Sequence, residues 1–153
     1  MLHGETLLAR ALAVLAGQCD AVVAVGRDGG VADWPRAGMG PLGGVAGALR
    51  HAAARGFVEV LSVSVDAVGL PRDLAAQLAP GPAYAAGQPV IGLWPVDALP
   101  AVEGILAGEG RHSMRALADA VAARAVQLTT EPANINTPAD LAALARMEMP
   151  HGL

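Results

Sequence analysis

Apolar residues recur along this 153-residue chain at helical spacing in some segments and at strand spacing in others, and this alternation limits what the chain can fold into. Apolar residues at helical spacing around Leu8–Leu15 are followed by a β-branched run at 21–25. The alternation continues with predicted helices at 42–55, from 71, at 97–106, at 113–123 and from 137, and with predicted strands at 58–65, within 84–94 and at 125–128. Strands alternating with helices predict an α/β fold with a mostly parallel sheet and helices on both faces. The length fits one domain, 1–153.

Composition excludes several classes of protein. Hydrophobic residues make up 54% of the chain, which is too many for a disordered protein. The apolar stretches are too short for a membrane span, and the first ten residues lack the basic start of a signal peptide, so no membrane association is expected. The single cysteine, Cys19, cannot form an internal disulfide, which favours a cytoplasmic location.

The charge pattern argues against a nucleic-acid partner. The formal net charge is -4, and the basic residues form no stripe. All ten basic residues are arginines, so the chain has no lysine to offer to a phosphate group. The cysteine and the four histidines lack the spacing of a zinc site or a catalytic dyad, and we interpret them as structural or surface residues.

Ligands of parallel α/β sheets bind in loops at the carboxyl ends of the strands, here 26–44, 66–70, 87–89 and 129–137. The first of these loops ends in Gly40-Pro41-Leu42-Gly43-Gly44 and runs into a helix. Glycines let a ligand approach the backbone, and a helix N-terminus favours anions. The alternative is a glycine-rich connection needed only for turning, and composition alone favours that alternative.

Two carboxylates stand out by position. Asp66 directly follows the valine-rich strand, where a carboxylate could bind Mg²⁺ that also ligates a triphosphate. Asp33 precedes the glycines by seven residues, and its two oxygens suit the N1–H and N2–H edge of guanine. A turn-starting aspartate and a solvated loop residue are the respective alternatives.

Three more polar residues are candidate ligand contacts. Arg111 follows a glycine turn before a helix, where its planar guanidinium could clamp a phosphate. Asn134 and Asn136 flank an isoleucine, and strand alternation would put both amides on one side. A surface arginine and an Asx-type turn before the last helix are the alternatives.

Blocks of the sequence, taken in order, resemble the molybdenum cofactor guanylyltransferase family. The blocks are Gly4-Glu5-Thr6-Leu7-Leu8, Gly40–Gly44 with Asp33 upstream, Ser62–Asp66 followed by Leu70–Leu74, Gln88–Trp94 and Asn134–Leu141. The last block resembles the family's closing N-[IV]-N-T-P-x-[DE]-L. The blocks extend over nearly the whole chain, and their shared order and spacing make the resemblance specific.

The resemblance implies a three-layer, Rossmann-like nucleotidyltransferase sheet and a reaction that joins GMP from GTP to molybdopterin and releases pyrophosphate. It implies Mg²⁺ at Asp66, guanine near Asp33 and residues 40–44, and molybdopterin near Arg111, Asn134 and Asn136. Catalysis would be in-line attack of the molybdopterin phosphate on the α-phosphorus. A molybdoenzyme or its chaperone is the candidate protein partner.

The sequence departs from the family's pattern at its start. The family begins with a strand and L-A-G-G-x-S-x-R-M-G-x-x-K, whereas this sequence begins just after that motif. We therefore expect the first strand to be missing from the sheet, with apolar edges exposed on its neighbours. Ala67-Val68 also replaces the usual x-Pro after Asp66.

Three hypotheses follow. The first is a guanylyltransferase whose true start lies upstream. The second is a non-catalytic remnant that binds nucleotide, pterin or a protein partner. The third is a cytidylyltransferase acting on the same pterin, although Asp33 and G-P-L-G-G favour guanine.

Overall fold

The computed structural model describes residues 7–25, 31–36, 40–64, 67–110, 112–130 and 132–134. Its helices are α1 (Leu7–Ala16), α2 (Gly40–Ala54), α3 (Leu74–Leu78), α4 (Leu99–Ala107, after a 3-10 turn at Val96–Ala98) and α5 (Met114–Ala120). Its strands are β1 (Glu59–Ser62), β2 (Ala67–Val68), β3 (Ala83–Ala85), β4 (Gln88–Pro95), β5 (Arg124–Val126) and β6 (Ala133–Asn134). None of these helices is long and apolar enough to cross a bilayer.

Four of the strands form one mixed sheet in the order β1-β4-β3-β5. Strand β4 is antiparallel to both of its neighbours, and only β3 and β5 pair in parallel. The prediction of an α/β fold is confirmed, but the prediction of a mostly parallel sheet is wrong for the described strands. Only two residues, Ala86 and Gly87, join β3 to β4, and so short a connection can link only antiparallel strands. Gly87 has a φ of 80°, which suits glycine at this turn.

Helices cover both faces of the sheet, so the predicted three-layer arrangement is confirmed. One core gathers buried residues of α2, α4 and α5 around Trp94. The other core gathers α3 and the partly buried Val14 of α1 around Ile91 and Leu93. The alternation of side chains along β4 explains this division, because Ile91 and Leu93 point to one face while Trp94 points to the other.

The indole of Trp94 fixes β4 to β1. Its ring is fully buried, and its Nε1–H donates to Ser62 Oγ at 3.0 Å. The Ser62 hydroxyl in turn donates to the Val90 carbonyl at 2.7 Å. The ring lies over Gly92, where a Cβ would stand 2.4 Å from a ring carbon.

Several predicted elements have different bounds. The β-branched run 21–25 forms only an isolated bridge between Val25 and Val31, because no described strand pairs with it as a ladder. Helix α2 begins at Gly40 rather than Leu42, so the predicted loop 26–44 is shorter. Strand β1 ends at Ser62, earlier than the predicted end at 65. The helix predicted from Thr137 lies outside the described residues.

Candidate functional site

The glycine-rich segment Gly40–Gly44 is the first turn of α2 rather than a loop. Gly40 has a φ of 74°, a conformation that favours glycine, and its missing side chain leaves open space. The first N–H groups of a helix have no partner within the helix, so this end of a 15-residue helix can receive an anion.

The five residues of this segment differ in what they can offer a ligand. Gly40 and Pro41 are exposed, and Gly44 is half-buried. The side chain of Leu42 is fully buried in the core around Trp94, so the ligand contact predicted for Leu42 can involve only its backbone. Gly43 is buried as well, and its carbonyl accepts a hydrogen bond from the Trp34 N–H at 3.1 Å.

Asp33 lies beside this helix turn, in agreement with the sequence-based expectation. The segment that carries it begins at Val31, whose N–H donates to the Ala24 carbonyl at 2.8 Å. The Asp33 side chain is half-buried, and its Oδ1 lies 3.8 Å from the place where a Cβ on Gly44 would stand. A carboxylate and a glycine backbone therefore form one side of the candidate site.

The pairing of β2 with β6 fixes the backbone position of one predicted site residue, Asn134. These strands pair antiparallel, with Ala67 opposite Asn134. The chain position that directly follows Asp66 thus faces one of the two predicted asparagines. Asp66, Arg111 and Asn136 lie outside the described residues, so the single cleft that would unite all of them with Asp33 stays a prediction.

A divalent cation would find no ready-made protein cage in the part of the chain that the structure describes. No three histidine, cysteine or acidic side chains there are grouped closely enough to hold a metal ion. Mg²⁺ bound with a triphosphate takes most of its ligands from phosphate and water, and it needs only one or two protein carboxylates. The carboxylate of Asp66 has the required donor chemistry.

A cavity of about 920 Å³ opens between α1, residues 18–25, α2 and β1. Both the 21–25 run and residues 59–64 line the cavity. In the described sheets, β1 forms a ladder only with β4. Val23, at the cavity wall, is 41% exposed. The sequence did not predict this cavity, and the exposure of sheet edges by a missing first strand stays a prediction.

One polar side chain at the cavity wall, Gln18, stabilises the fold. Gln18 accepts from the Ala75 N–H at 2.8 Å and donates to the Pro71 carbonyl at 3.2 Å, and so it caps α3. Asp73, the residue before α3, makes no side-chain cap bond. Burial first, and the nearby charge of Asp20 second, raise the pKa of the Cys19 thiol, which keeps it neutral and weakly nucleophilic.

The sequence model of the MobA-like NTP transferase domain matches residues 1–126, from before α1 to the end of β5. The chain belongs to this family. The matched range includes Asp33, the start of α2, Asp66 and Arg111, and it ends before the two asparagines. The family membership inferred from the sequence blocks is thereby confirmed.

Three relatives carry the same name, molybdenum cofactor guanylyltransferase. The protein of Acidiphilium cryptum is 40% identical over 159 residues, covering 92% of this chain and 81% of the relative. The Rhodobacter capsulatus protein is 35% identical, and the match covers 92% of this chain and 82% of the relative. The protein of Rhizobium leguminosarum bv. trifolii is 34% identical, and the match covers 95% of this chain and 82% of the relative. The chain is therefore similar to nucleotidyltransferases of molybdenum cofactor biosynthesis over most of its length.

Proposed function

We propose that this protein transfers GMP from GTP to molybdopterin, giving the guanine dinucleotide cofactor and pyrophosphate. The observation that carries the proposal is the seating of Asp33 beside the glycine-rich start of α2. In a chain related to three guanylyltransferases, this is a carboxylate next to an anion-receptive helix end. A nucleotide has both a base that a carboxylate can recognise and phosphates that such a helix end can receive.

Base recognition is assigned to Asp33. Its two carboxylate oxygens accept hydrogen bonds from N1–H and N2–H of guanine, a pair of donors that cytosine does not have. The backbone of Gly40, Pro41, Leu42, Gly43 and Gly44 contacts the nucleotide beside it. The glycines have only a hydrogen atom in place of a side chain, which leaves the room that this contact needs.

The reacting groups are assigned to the other end of the site. Asp66 would hold Mg²⁺, which when bound neutralises the triphosphate. Arg111 and the amides of Asn134 and Asn136 orient molybdopterin, whose phosphate oxygen attacks the α-phosphorus in line. The bond to the β-phosphate breaks, and pyrophosphate leaves with its electron pair. The protein contributes positioning and charge stabilisation, which are the main sources of rate in such transfers.

The proposed protein partner follows from the reaction product. The dinucleotide cofactor has to reach an apoenzyme, so a molybdoenzyme or its chaperone is the proposed protein partner. A cytoplasmic location is proposed with it, supported by the single cysteine, which has no partner for an internal disulfide.

The test is a product assay with the protein expressed from its complete reading frame. It is incubated with molybdopterin, Mg²⁺ and either GTP or CTP, and the dinucleotide and pyrophosphate are quantified. Guanine dinucleotide from GTP supports the proposal. Faster reaction with CTP would establish the cytidylyltransferase alternative, and no product with either nucleotide would favour the remnant.

A further inference from the structure

The segment that carries Asp33 approaches α2 most closely at Gly47. A Cβ at Gly47 would stand 2.1 Å from the carbonyl oxygen of Ala32, 3.1 Å from its carbonyl carbon and 3.4 Å from the Cα of Asp33. Carbon and oxygen atoms that are not bonded do not come as close as 2.1 Å, and all three neighbouring atoms belong to the backbone, which cannot rotate away as a side chain can. Only glycine at position 47 permits this contact.

A second attachment holds the next residue, Trp34. Its ring packs against the core around Trp94. The guanidinium of Arg50 lies 5.2 Å from the ring centroid, within the range of a cation–π contact. Arg50 also forms an ion pair with Glu103 of α4. Because Arg50 is 49% exposed, the ion pair adds little stability, and its effect is to orient the guanidinium over the ring.

The attachments follow one face of α2. The Gly43 carbonyl accepts from the Trp34 N–H, Gly47 touches the backbone of residues 32 and 33, and Arg50 covers the indole. Steps of four and three residues keep these positions on the same side of a helix. Asp33 is therefore held between two fixed neighbours, at the turn of α2 where Gly44 lies.

We propose that Gly47 and Arg50 are positioning residues that set the place of the Asp33 carboxylate and thereby the choice of base. The proposal rests on the proposed function, in which Asp33 accepts two hydrogen bonds from guanine. Two parallel hydrogen bonds require a donor–acceptor placement within about 0.5 Å, so a small displacement of residues 32–34 weakens the pair before it affects other contacts.

The experiment compares GTP with inosine triphosphate, which keeps the N1–H of guanine and lacks its 2-amino group. The protein from the complete reading frame is measured as parent, Asp33→Asn, Arg50→Gln and Arg50→Lys, with kcat/KM determined for both nucleotides. The parent should prefer GTP by about tenfold or more, the range for one hydrogen bond to a charged group. Arg50→Gln should lose several-fold of that preference, and Arg50→Lys, which keeps the charge, should retain most of it.

A merely structural role for Arg50 would lower both rates equally and leave the ratio unchanged. If Asp33→Asn abolishes the preference while Arg50→Gln keeps it in full, the positioning role is overturned and the proposed function stands. If Asp33→Asn leaves the preference intact, the base-recognition role of Asp33 fails, and the positioning role fails with it.

Hydrogen exchange on the 153-residue chain tests the attachment without any nucleotide. The Trp34 amide, bonded to the Gly43 carbonyl, should exchange at least tenfold faster in Gly47→Ala than in the parent. Gly104→Ala is the matched control, because a Cβ at Gly104 meets nothing within 4 Å. Equal Trp34 exchange in the parent and Gly47→Ala would overturn the proposal, and Arg50→Gln allows the measurement to be made if Gly47→Ala does not fold.

Discussion

Replacing Ser62 by alanine should destabilise the fold through Trp94. The change removes the acceptor of the Trp94 Nε1–H at 3.0 Å and the donor to the Val90 carbonyl at 2.7 Å. The Trp94 side chain is fully buried, so its Nε1–H loses the acceptor that satisfies it. A buried donor left without a partner costs about 1–3 kcal/mol, so we expect Ser62→Ala to lower the free energy of unfolding by about 2 kcal/mol.

The assay is urea unfolding followed by circular dichroism, with the m-value required to stay constant. Trp94→Phe removes the donor, so in that background Ser62→Ala should cost about 1 kcal/mol less, and this difference is the coupling free energy of the pair. The control is Ser113→Ala, which removes the cap bond to the Ala116 N–H and should cost about 1 kcal/mol in either background. A cost below about 0.5 kcal/mol for Ser62→Ala, or the same cost in both backgrounds, would refute the reasoning.

Three further predictions concern packing, pH and nucleotide binding. Gly92→Ala should lower the free energy of unfolding by about 1–3 kcal/mol or more, because the new Cβ would overlap the Trp94 ring. The control, Gly104→Ala in α4, should raise the free energy of unfolding by up to about 1 kcal/mol, and equal unfolding midpoints for the two variants would contradict this. Because burial, and then Asp20, raise the pKa of the Cys19 thiol above 9.0, the folded chain keeps the proton that the unfolded chain releases. The free energy of unfolding should therefore fall more steeply above pH 9 in the parent than in Cys19→Ser, and parallel curves would contradict this. Calorimetry of the 153-residue chain with GTP and Mg²⁺ should show weak binding or none, since these residues include no lysine and no L-A-G-G motif, and micromolar affinity would contradict the prediction.

The sequence predicted the presence of most elements because their hydrophobic periods are local. The direction of pairing is not local. The sequence predicted an interruption at 87–89, but it did not predict that the Gly87 turn reverses the chain so that β3 and β4 pair antiparallel. The run at 21–25 has strand-forming residues, but a strand exists only where a neighbour supplies hydrogen bonds. Among the residues that the structure describes, Val25 forms only the single bridge to Val31.

The proximity of Asp33 to the glycine segment was predictable, because both lie in one sequence block. Asp33 was expected near the glycines, and it lies beside Gly44. Gly47 was missed because its role depends on the backbone of Ala32, which reaches α2 only after the chain folds. The same applies to Arg50, whose partners Trp34 and Glu103 are distant from it in sequence.

The central claim is tested most directly by the effect of Asp66→Asn on turnover. The protein from the complete reading frame is incubated with molybdopterin, GTP and Mg²⁺, and the rate of guanine dinucleotide formation is measured for the parent, for Asp66→Asn and for Asp97→Asn. The last variant changes an exposed carboxylate of the turn before α4 and serves as the control. Losing one electrostatic contact at the reacting centre typically costs about a hundredfold or more, so Asp66→Asn should fall by that factor while Asp97→Asn stays near the parent rate. If Asp66→Asn turned over at the parent rate, the metal site assigned to Asp66 would be wrong.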